Sequence, residues 1–189
     1  MNMFVNRPRA PADGLLAAAM LSFLATAGFF YVNIMPAIVE GLRTGLHFSE
    51  SAAGLVGSAN VYGAAVGALL ATFLVTRWSW RPAAYALLST LMAIDLASLL
   101  VATPPVMIAI RALHGLVGGC LVGISYAVFA RTRRPERTFG MLLVIQGGLG
   151  GLGVMVLPKL VPLFGTGSLF LAFIGVGQGA HQVLAFLGE

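Results

Sequence analysis

Six long apolar runs, separated by short polar stretches, constrain this chain more than any other feature. Each run has about 20 to 26 residues, a length that as a helix crosses the roughly 30 Å hydrocarbon layer of a bilayer. The sequence therefore predicts an all-α integral membrane protein, a bundle of six transmembrane helices. The predicted helices lie at about 14–37, 51–75, 83–102, 106–130, 139–160 and 166–187.

Composition supports the membrane class and excludes several other kinds of protein. Only 9% of the 189 residues are charged, whereas about a quarter are charged in a typical soluble domain. The net charge of +5 comes from arginines that are too few and too scattered to follow a nucleic-acid backbone. Cys120 is the single cysteine, so an internal disulfide and a cysteine-based zinc site are excluded. We expect no nucleic-acid partner, no metal and no other cofactor.

The distribution of basic residues predicts how the chain is oriented in the membrane. One side of the predicted bundle has eight arginines, whereas the other side has Arg43 and Lys159. Basic loops are retained in the cytoplasm, which predicts a multi-pass protein of the cell inner (plasma) membrane with both termini cytoplasmic. Residues 1–13 are then a cytoplasmic tail that precedes the bundle at 14–189. The eight arginines are Arg7, Arg9, Arg77, Arg81, Arg131, Arg133, Arg134 and Arg137.

The beginning of the chain also resembles a secretory signal peptide. Arg7 and Arg9 precede an apolar stretch, and Ala25-Thr26-Ala27 resembles a cleavage site. The apolar run continues well past that site, so we favour a first transmembrane helix.

Local signals indicate where some helices start and stop. Ser49 is placed to cap the second predicted helix, with Glu50 favourable in its first turn. Residues 40–50 are interpreted as a polar loop before that cap, and Pro158 and Pro162 as flanking a short turn.

The stretch from Ile108 to Gly123 holds the most unusual residues of the chain. It is apolar, yet it contains Arg111 and His114, and ionisable residues inside a membrane helix are costly and commonly functional. Glycines recur four residues apart, a spacing that lets another helix approach closely. A glycine packing surface and a buried cation on the same helix indicate a pathway through the membrane for a polar solute or ion. The packing glycines are Gly115, Gly119 and Gly123.

Asp95 is a candidate partner for Arg111. The two residues lie on consecutive antiparallel predicted helices, about eight and seven residues from the turn near Thr103-Pro104. At 1.5 Å per residue, both are roughly 11–12 Å below the same membrane surface. Two interpretations stay open: a charge pair whose protonation changes during function, or a structural pair that joins two helices.

Further polar residues within the apolar runs are candidates for a site. His114 is one turn from Arg111 and can exchange a proton near neutral pH, or it is a neutral histidine hydrogen-bonded between helices. Four other residues are candidates for lining a substrate cavity, although interhelical hydrogen bonding explains each of them too. They are Asn33, Asn60, Tyr62 and Gln146.

An intramembrane serine protease is a further hypothesis. Gly123-Ile124-Ser125 in the fourth predicted helix and His181 in the sixth fit that class loosely. Ser125 lies about one turn from the cytoplasmic end, and no oxyanion-stabilising group flanks it. We therefore predict that the chain is not an enzyme.

Three local patterns resemble motifs of the major facilitator superfamily. Arg111-Ala-Leu-His114-Gly115 resembles its helix-four pattern R-x-x-Q-G, with His114 where glutamine is common. Glu136 and Arg137 with Gly140 resemble the E-R-x-x-G at the start of helix five. Arg77 and Arg81 match the loop signature G-x-x-x-D-R-x-G-R-R, whereas Thr72, Thr76 and Ser79 replace its first glycine, its aspartate and its second glycine.

The resemblance extends over about residues 14–176 and corresponds to the N-terminal six-helix half of such a transporter. It implies a proton-coupled permease for a small organic solute, working by alternating access, with Arg111 in the central cavity. The glycine run of the fifth predicted helix is similar to an antiporter motif and indicates export.

Family members of this kind have two six-helix halves, and one half is present here. We expect a truncated product or an excised half, or a protein that pairs with a second copy or a separate half. The expected partners are thus the bilayer, a small-molecule substrate, protons and a second six-helix half. The alternative is a non-transporting six-helix membrane protein or remnant.

Overall fold

A computed structural model describes residues 14–187 as an α-helical bundle. The predicted cytoplasmic tail at 1–13 and the last two residues lie outside the described part of the chain. Within 14–187 there are seven helices: α1 (Leu15–Asn33), α2 (Met35–Leu46), α3 (Glu50–Arg77), α4 (Trp80–Ser98), α5 (Pro104–Phe129), α6 (Pro135–Phe164) and α7 (Gly167–Phe186).

Five of the described helices are long and apolar enough to cross a bilayer: α1, α3, α5, α6 and α7. The 12 residues of α2 are too few for a span. Helix α4 has 19 residues, but Arg81 and Asp95 make it less apolar than the others. An all-helical membrane protein is therefore the supported class, and the prediction of six transmembrane helices holds for five of them.

The first predicted helix is interrupted at Ile34 and then continues beyond its predicted end. Pro36 has no N–H with which to continue the hydrogen-bond ladder of α1. The N–H of Ile34 donates to the carbonyl oxygens of Phe30 and Tyr31, and the helix restarts where Ala37 donates to Ile34 at 2.9 Å. The interpretation of residues 40–50 as a loop was wrong, because most of that segment belongs to α2.

That polar segment is helical because α2 is amphipathic. It buries Ala37, Ile38, Gly41 and Leu42 against its neighbours. Glu40 and Arg43, whose charges indicated a loop, lie on its exposed face and form an ion pair at 3.3 Å.

The start of α3 follows the predicted cap. The Ser49 hydroxyl accepts a hydrogen bond from the N–H of Ala52 at 3.1 Å, which confirms the prediction. Helix α4 ends at Ser98, four residues before its predicted end at about 102. Residues 99–101 form turns instead. Thr103, the residue before Pro104, has the extended backbone that a following proline favours, and α5 starts at Pro104.

The predicted turn around Pro158 and Pro162 was wrong, because both prolines lie inside α6. Membrane helices tolerate proline where neighbouring groups satisfy the freed carbonyls. Helix α6 ends instead at Phe164, and the next residue, Gly165, has a φ of 75°, a conformation that residues with a side chain disfavour.

Helix α5 lies at the centre of the bundle, in contact with α1, α3 and α4. Its glycines bring it against the backbone of α3. A Cβ atom on Gly119 would overlap the carbonyl oxygen of Ala64, and one on Gly67 of α3 would overlap that of Leu116. A Cβ atom on Gly115 would likewise overlap the backbone carbonyl oxygen of Asn60. Small residues permit this closeness.

Two large apolar cores fill the described bundle, one towards each end, and a smaller third cluster is formed by Ala71, Ala83 and Ile124. The first includes Leu88, Leu121 and Leu184, near the arginine-rich end where α3 meets α4 and α5 meets α6. The second includes Ile38 and Leu169, near the opposite end. Asp95 and Arg111 lie along α4 and α5 between the residues of these two cores.

The glycine contact predicts a difference between two Gly→Ala substitutions. Gly119→Ala forces α3 and α5 apart, and we expect a loss of about 1–3 kcal/mol in unfolding free energy. Gly147→Ala, where a Cβ meets open space, is expected to be neutral or stabilising by up to about 1 kcal/mol, because alanine favours helix. Unfolding in mild detergent, followed by tryptophan fluorescence, measures both. Equal losses in the two variants would contradict the account.

Candidate functional site: a buried charge cluster

The structure brings Arg111 and Asp95 into direct contact. Arg111 Nη1 lies 2.9 Å from Asp95 Oδ1, and the two side chains are 0% and 3% exposed. The antiparallel course of α4 and α5 places them at matching levels, as the spacing around the turn predicts. This is a buried ion pair, in which the attraction between the charges has to offset a large desolvation penalty.

The rest of the guanidinium group is surrounded by one hydroxyl and two aromatic rings. Arg111 Nη2 donates to the Ser98 hydroxyl, which in turn donates to the carbonyl of Ile94 at 2.7 Å. The guanidinium carbon lies 5.2 Å from the centre of the Phe170 ring and 5.8 Å from that of Tyr31. Cation–π attraction of this kind strengthens away from water.

His114 contacts the other oxygen of Asp95. Its Nε2 lies 3.4 Å from Asp95 Oδ2, and its Nδ1 lies 3.0 Å from Asn60 Nδ2. The same Asn60 nitrogen donates to the backbone carbonyl of Arg111 at 3.1 Å. Asp95 is therefore shared between a permanent cation and a titratable ring.

Five helices build this group, hereafter the charge cluster: Asn60 of α3, Asp95 and Ser98 of α4, and Arg111 and His114 of α5, enclosed by Tyr31 of α1 and by Phe170 and Phe173 of α7. With His114 neutral, its charges sum to zero. Two groups of the cluster can accept a proton, the Asp95 carboxylate and the His114 imidazole. A proton on either group changes the electrostatic attraction between Asp95 and its two partners, Arg111 and His114.

Two polar atoms in and around the cluster have no hydrogen-bond partner among the described residues. They are the Tyr31 hydroxyl and Nε of Arg111, and both are buried. Buried polar groups without a partner are uncommon in proteins.

The four residues predicted to line a substrate cavity lie in different places. Asn60 is 2% exposed and belongs to the charge cluster. Asn33 and Gln146 together line an open groove whose wall includes Gly147 and Gly150 of α6. Tyr62 is 74% exposed on α3, away from both sites.

The four residues of the loop motifs lie at the arginine-rich end. Arg81 donates to the carbonyl of Leu184 at 3.0 Å, which joins the start of α4 to the end of α7. Arg77, Glu136 and Arg137 are exposed. Where the family signature has a glycine and an aspartate, the hydroxyls of Thr72 and Thr76 donate to carbonyls of their own helix.

The two residues of the protease hypothesis have other partners. The Ser125 hydroxyl donates to the carbonyl of Leu121 at 2.7 Å. The His181 ring packs edge-on against Tyr85, with 4.8 Å between ring centres. Within residues 14–187, no three histidine, cysteine, aspartate or glutamate side chains group as metal ligands.

Sequence reasoning missed several members of the cluster. Ser98 is three residues after Asp95 and therefore on the same face of α4, a spacing that could have identified it. The rings of Tyr31, Phe170 and Phe173 belong to α1 and α7, and nothing in the order of the chain shows which faces of those helices turn towards α5.

Comparison with known proteins identifies the family. The model of the Major Facilitator Superfamily matches residues 15–186, almost the whole chain. The chain belongs to this superfamily. A search of curated proteins found no match. Membership makes the chain a membrane transport protein, and the segment of α5 that resembles the superfamily's helix-four motif is the one that contributes Arg111 and His114 to the charge cluster.

The ion pair predicts strongly non-additive effects on stability. Asp95→Leu leaves Arg111 buried without its counter-charge, and we expect a loss of about 3–5 kcal/mol in unfolding free energy. The double variant with Arg111→Leu should recover most of that loss. As a control, Arg43→Gln removes two exposed ion pairs, with Glu40 and with Glu50, and should cost about 0–1 kcal/mol. Additive losses in a double-mutant cycle would contradict a direct buried pair.

Proposed function

We propose that this chain forms one six-helix half of a proton-coupled permease for a small organic solute. The observation that supports the proposal is the charge cluster: a buried ion pair shares its carboxylate with a histidine, inside a membrane transport protein. Intramembrane ionisable groups of this kind are commonly part of an ion or proton pathway.

In this proposal the proton changes how tightly α4 and α5 are held together. When Asp95 is charged, it holds Arg111 on one oxygen and faces His114 on the other. A proton on Asp95 removes the counter-charge of Arg111, and the guanidinium then needs another partner. That partner is the solute or a rearranged helix, so proton transfer and conformational change are linked.

The proposed solute site lies towards Asn33 and Gln146. These two amides line one groove between α1 and α6, and the side chain of Asn33 has a buried Nδ2 atom without a partner among the described residues. Amides donate and accept hydrogen bonds, which suits an uncharged or zwitterionic organic solute. Alternating access requires a second six-helix half beside this one.

The proposed location is the plasma membrane. In the proposed orientation, the arginine-rich end of the bundle faces the cytoplasm. The support is the cluster of arginines where α3 meets α4 and where α5 meets α6, at one end of the bundle. Export is the proposed direction, on the basis of the glycine run of α6.

Proton coupling is testable in proteoliposomes that contain an internal pH dye. We expect that one member of a panel of amino acids, sugars, organic acids and lipophilic cations, added outside, drives proton movement. Asp95→Asn and His114→Gln should each reduce that signal at least tenfold. The control His181→Gln changes a histidine outside the cluster and should leave the signal unchanged.

Two results would contradict the proposal. If the panel moves across the membrane without any proton signal, the permease is not proton-coupled. If no member of the panel moves at any protein density, the chain does not transport these solutes under the tested conditions, and the proposal fails for it.

A further inference from the structure

We infer that Asn60 is a positioning residue that opposes a second proton on His114, so that the charge cluster takes up this proton only when a hydrogen bond between α3 and α5 breaks. The inference rests on the proposed proton-coupled function and assigns to Asn60 a role other than lining a solute cavity.

The orientation of the Asn60 amide follows from its partners. Its Nδ2 lies 3.1 Å from the carbonyl oxygen of Arg111 and 3.0 Å from Nδ1 of His114. A carbonyl oxygen accepts hydrogen bonds and never donates them. The group that faces it must therefore be the NH₂ of the amide, which has two hydrogens and can donate to both partners.

This orientation decides the protonation of the histidine ring. Because Asn60 donates to Nδ1, that nitrogen has to accept and is without a hydrogen. The ring proton is then on Nε2, the nitrogen that faces Asp95 Oδ2 at 3.4 Å. His114 in this structure is accordingly the neutral Nε2–H tautomer, held from both sides.

A second proton has to enter at Nδ1, where it would meet the hydrogens of the Asn60 amide. Two donors facing each other at 3.0 Å repel, so the amide must rotate or withdraw. Rotation presents its oxygen to Nδ1 but removes the donor from the Arg111 carbonyl. Protonation of His114 therefore breaks at least one hydrogen bond between α3 and α5.

The helix contact leaves little room for that change. A Cβ atom on Gly115, next to His114, would overlap the backbone carbonyl of Asn60 itself. The Asn60 side chain is thus held at one of the closest backbone contacts of the bundle. Relief of the donor–donor conflict therefore costs a hydrogen bond at this contact, which links a proton on His114 to the strength of the contact between α3 and α5.

The groups around the ring define the electrostatic setting of this step. Asp95 comes from α4, Arg111 from α5 and the Tyr31 ring, at 5.9 Å, from α1. From α3 and α7 the ring meets the neutral groups Asn60 and Phe173. The charge of Asp95 favours a charged ring, and that of Arg111 disfavours it. The NH₂ group of Asn60 adds a repulsion that acts only on a proton at Nδ1, which neither charge supplies.

The test is nitrogen NMR of the purified chain in lipid bilayers, with ¹⁵N in histidine and asparagine. The sequence has three histidines, and His114→Gln identifies the signals of His114 by their loss. In the wild-type chain we expect a bare Nδ1, a protonated Nε2, and a coupling across the hydrogen bond between the Asn60 amide and Nδ1. A protonated Nδ1 at neutral pH would overturn the inference.

Substitution separates positioning from a structural role. Asn60→Ala removes the opposing donor, and at mildly acidic pH we expect the doubly protonated fraction of His114 to rise several-fold. Asn60→Asp supplies an acceptor instead and should raise it further. Ser125→Ala removes a buried hydroxyl of α5 outside the cluster, which donates to Leu121 of the same helix, and should leave His114 as in the wild type. If Asn60→Ala folds with an unchanged His114 titration, Asn60 is only structural.

These measurements use no solute and no transport assay. A bare Nδ1 together with absent solute-driven proton flux would leave the positioning role standing and remove the proposed permease. A solute-driven proton flux together with a protonated Nδ1 would support the proposed permease and remove the positioning role of Asn60.

Discussion

The ion pair between Asp95 and Arg111 is the interaction on which the rest of the bundle depends. A guanidinium group with no solvent exposure is tolerated only because a carboxylate, a hydroxyl and two aromatic rings surround it. Those groups come from α1, α4 and α7, so one buried charge specifies how three helices face α5. Its position between the two apolar cores places a polar layer inside an otherwise apolar bundle.

Close packing and chemistry are connected at the contact between α3 and α5. Gly115 and Gly119 allow the two backbones to touch, and this closeness lets the short side chain of Asn60 reach His114. Without the glycines, the amide could not bond the ring and the Arg111 carbonyl together. The contact between α3 and α5 is therefore both tight and polar.

Much of the fold follows from the sequence, and the exceptions have physical causes. The matching depths of Asp95 and Arg111 follow from the short turn between two antiparallel helices, and the Ser49 cap follows from local chemistry. The break at Ile34 arises because Pro36 cannot continue the hydrogen bonds of α1. The charged residues of α2 led to the prediction of a loop, although this segment is an amphipathic helix. The contribution of Tyr31 depends on how α1 is rotated about its axis, which only packing determines.

A distance measurement in membranes tests the central claim most directly. The sequence has two aspartates, Asp13 and Asp95, so an Asp13→Asn chain labelled with ¹³C in aspartate carboxyls and ¹⁵N in arginine side chains reports on Asp95 alone. Solid-state dipolar recoupling in bilayers should show strong dephasing of that carboxyl signal by a guanidinium nitrogen, lost in Arg111→Lys and retained in Arg81→Lys. A carboxyl signal without dephasing in the Asp13→Asn chain would mean that Asp95 and Arg111 are apart, and the account of the charge cluster would be wrong.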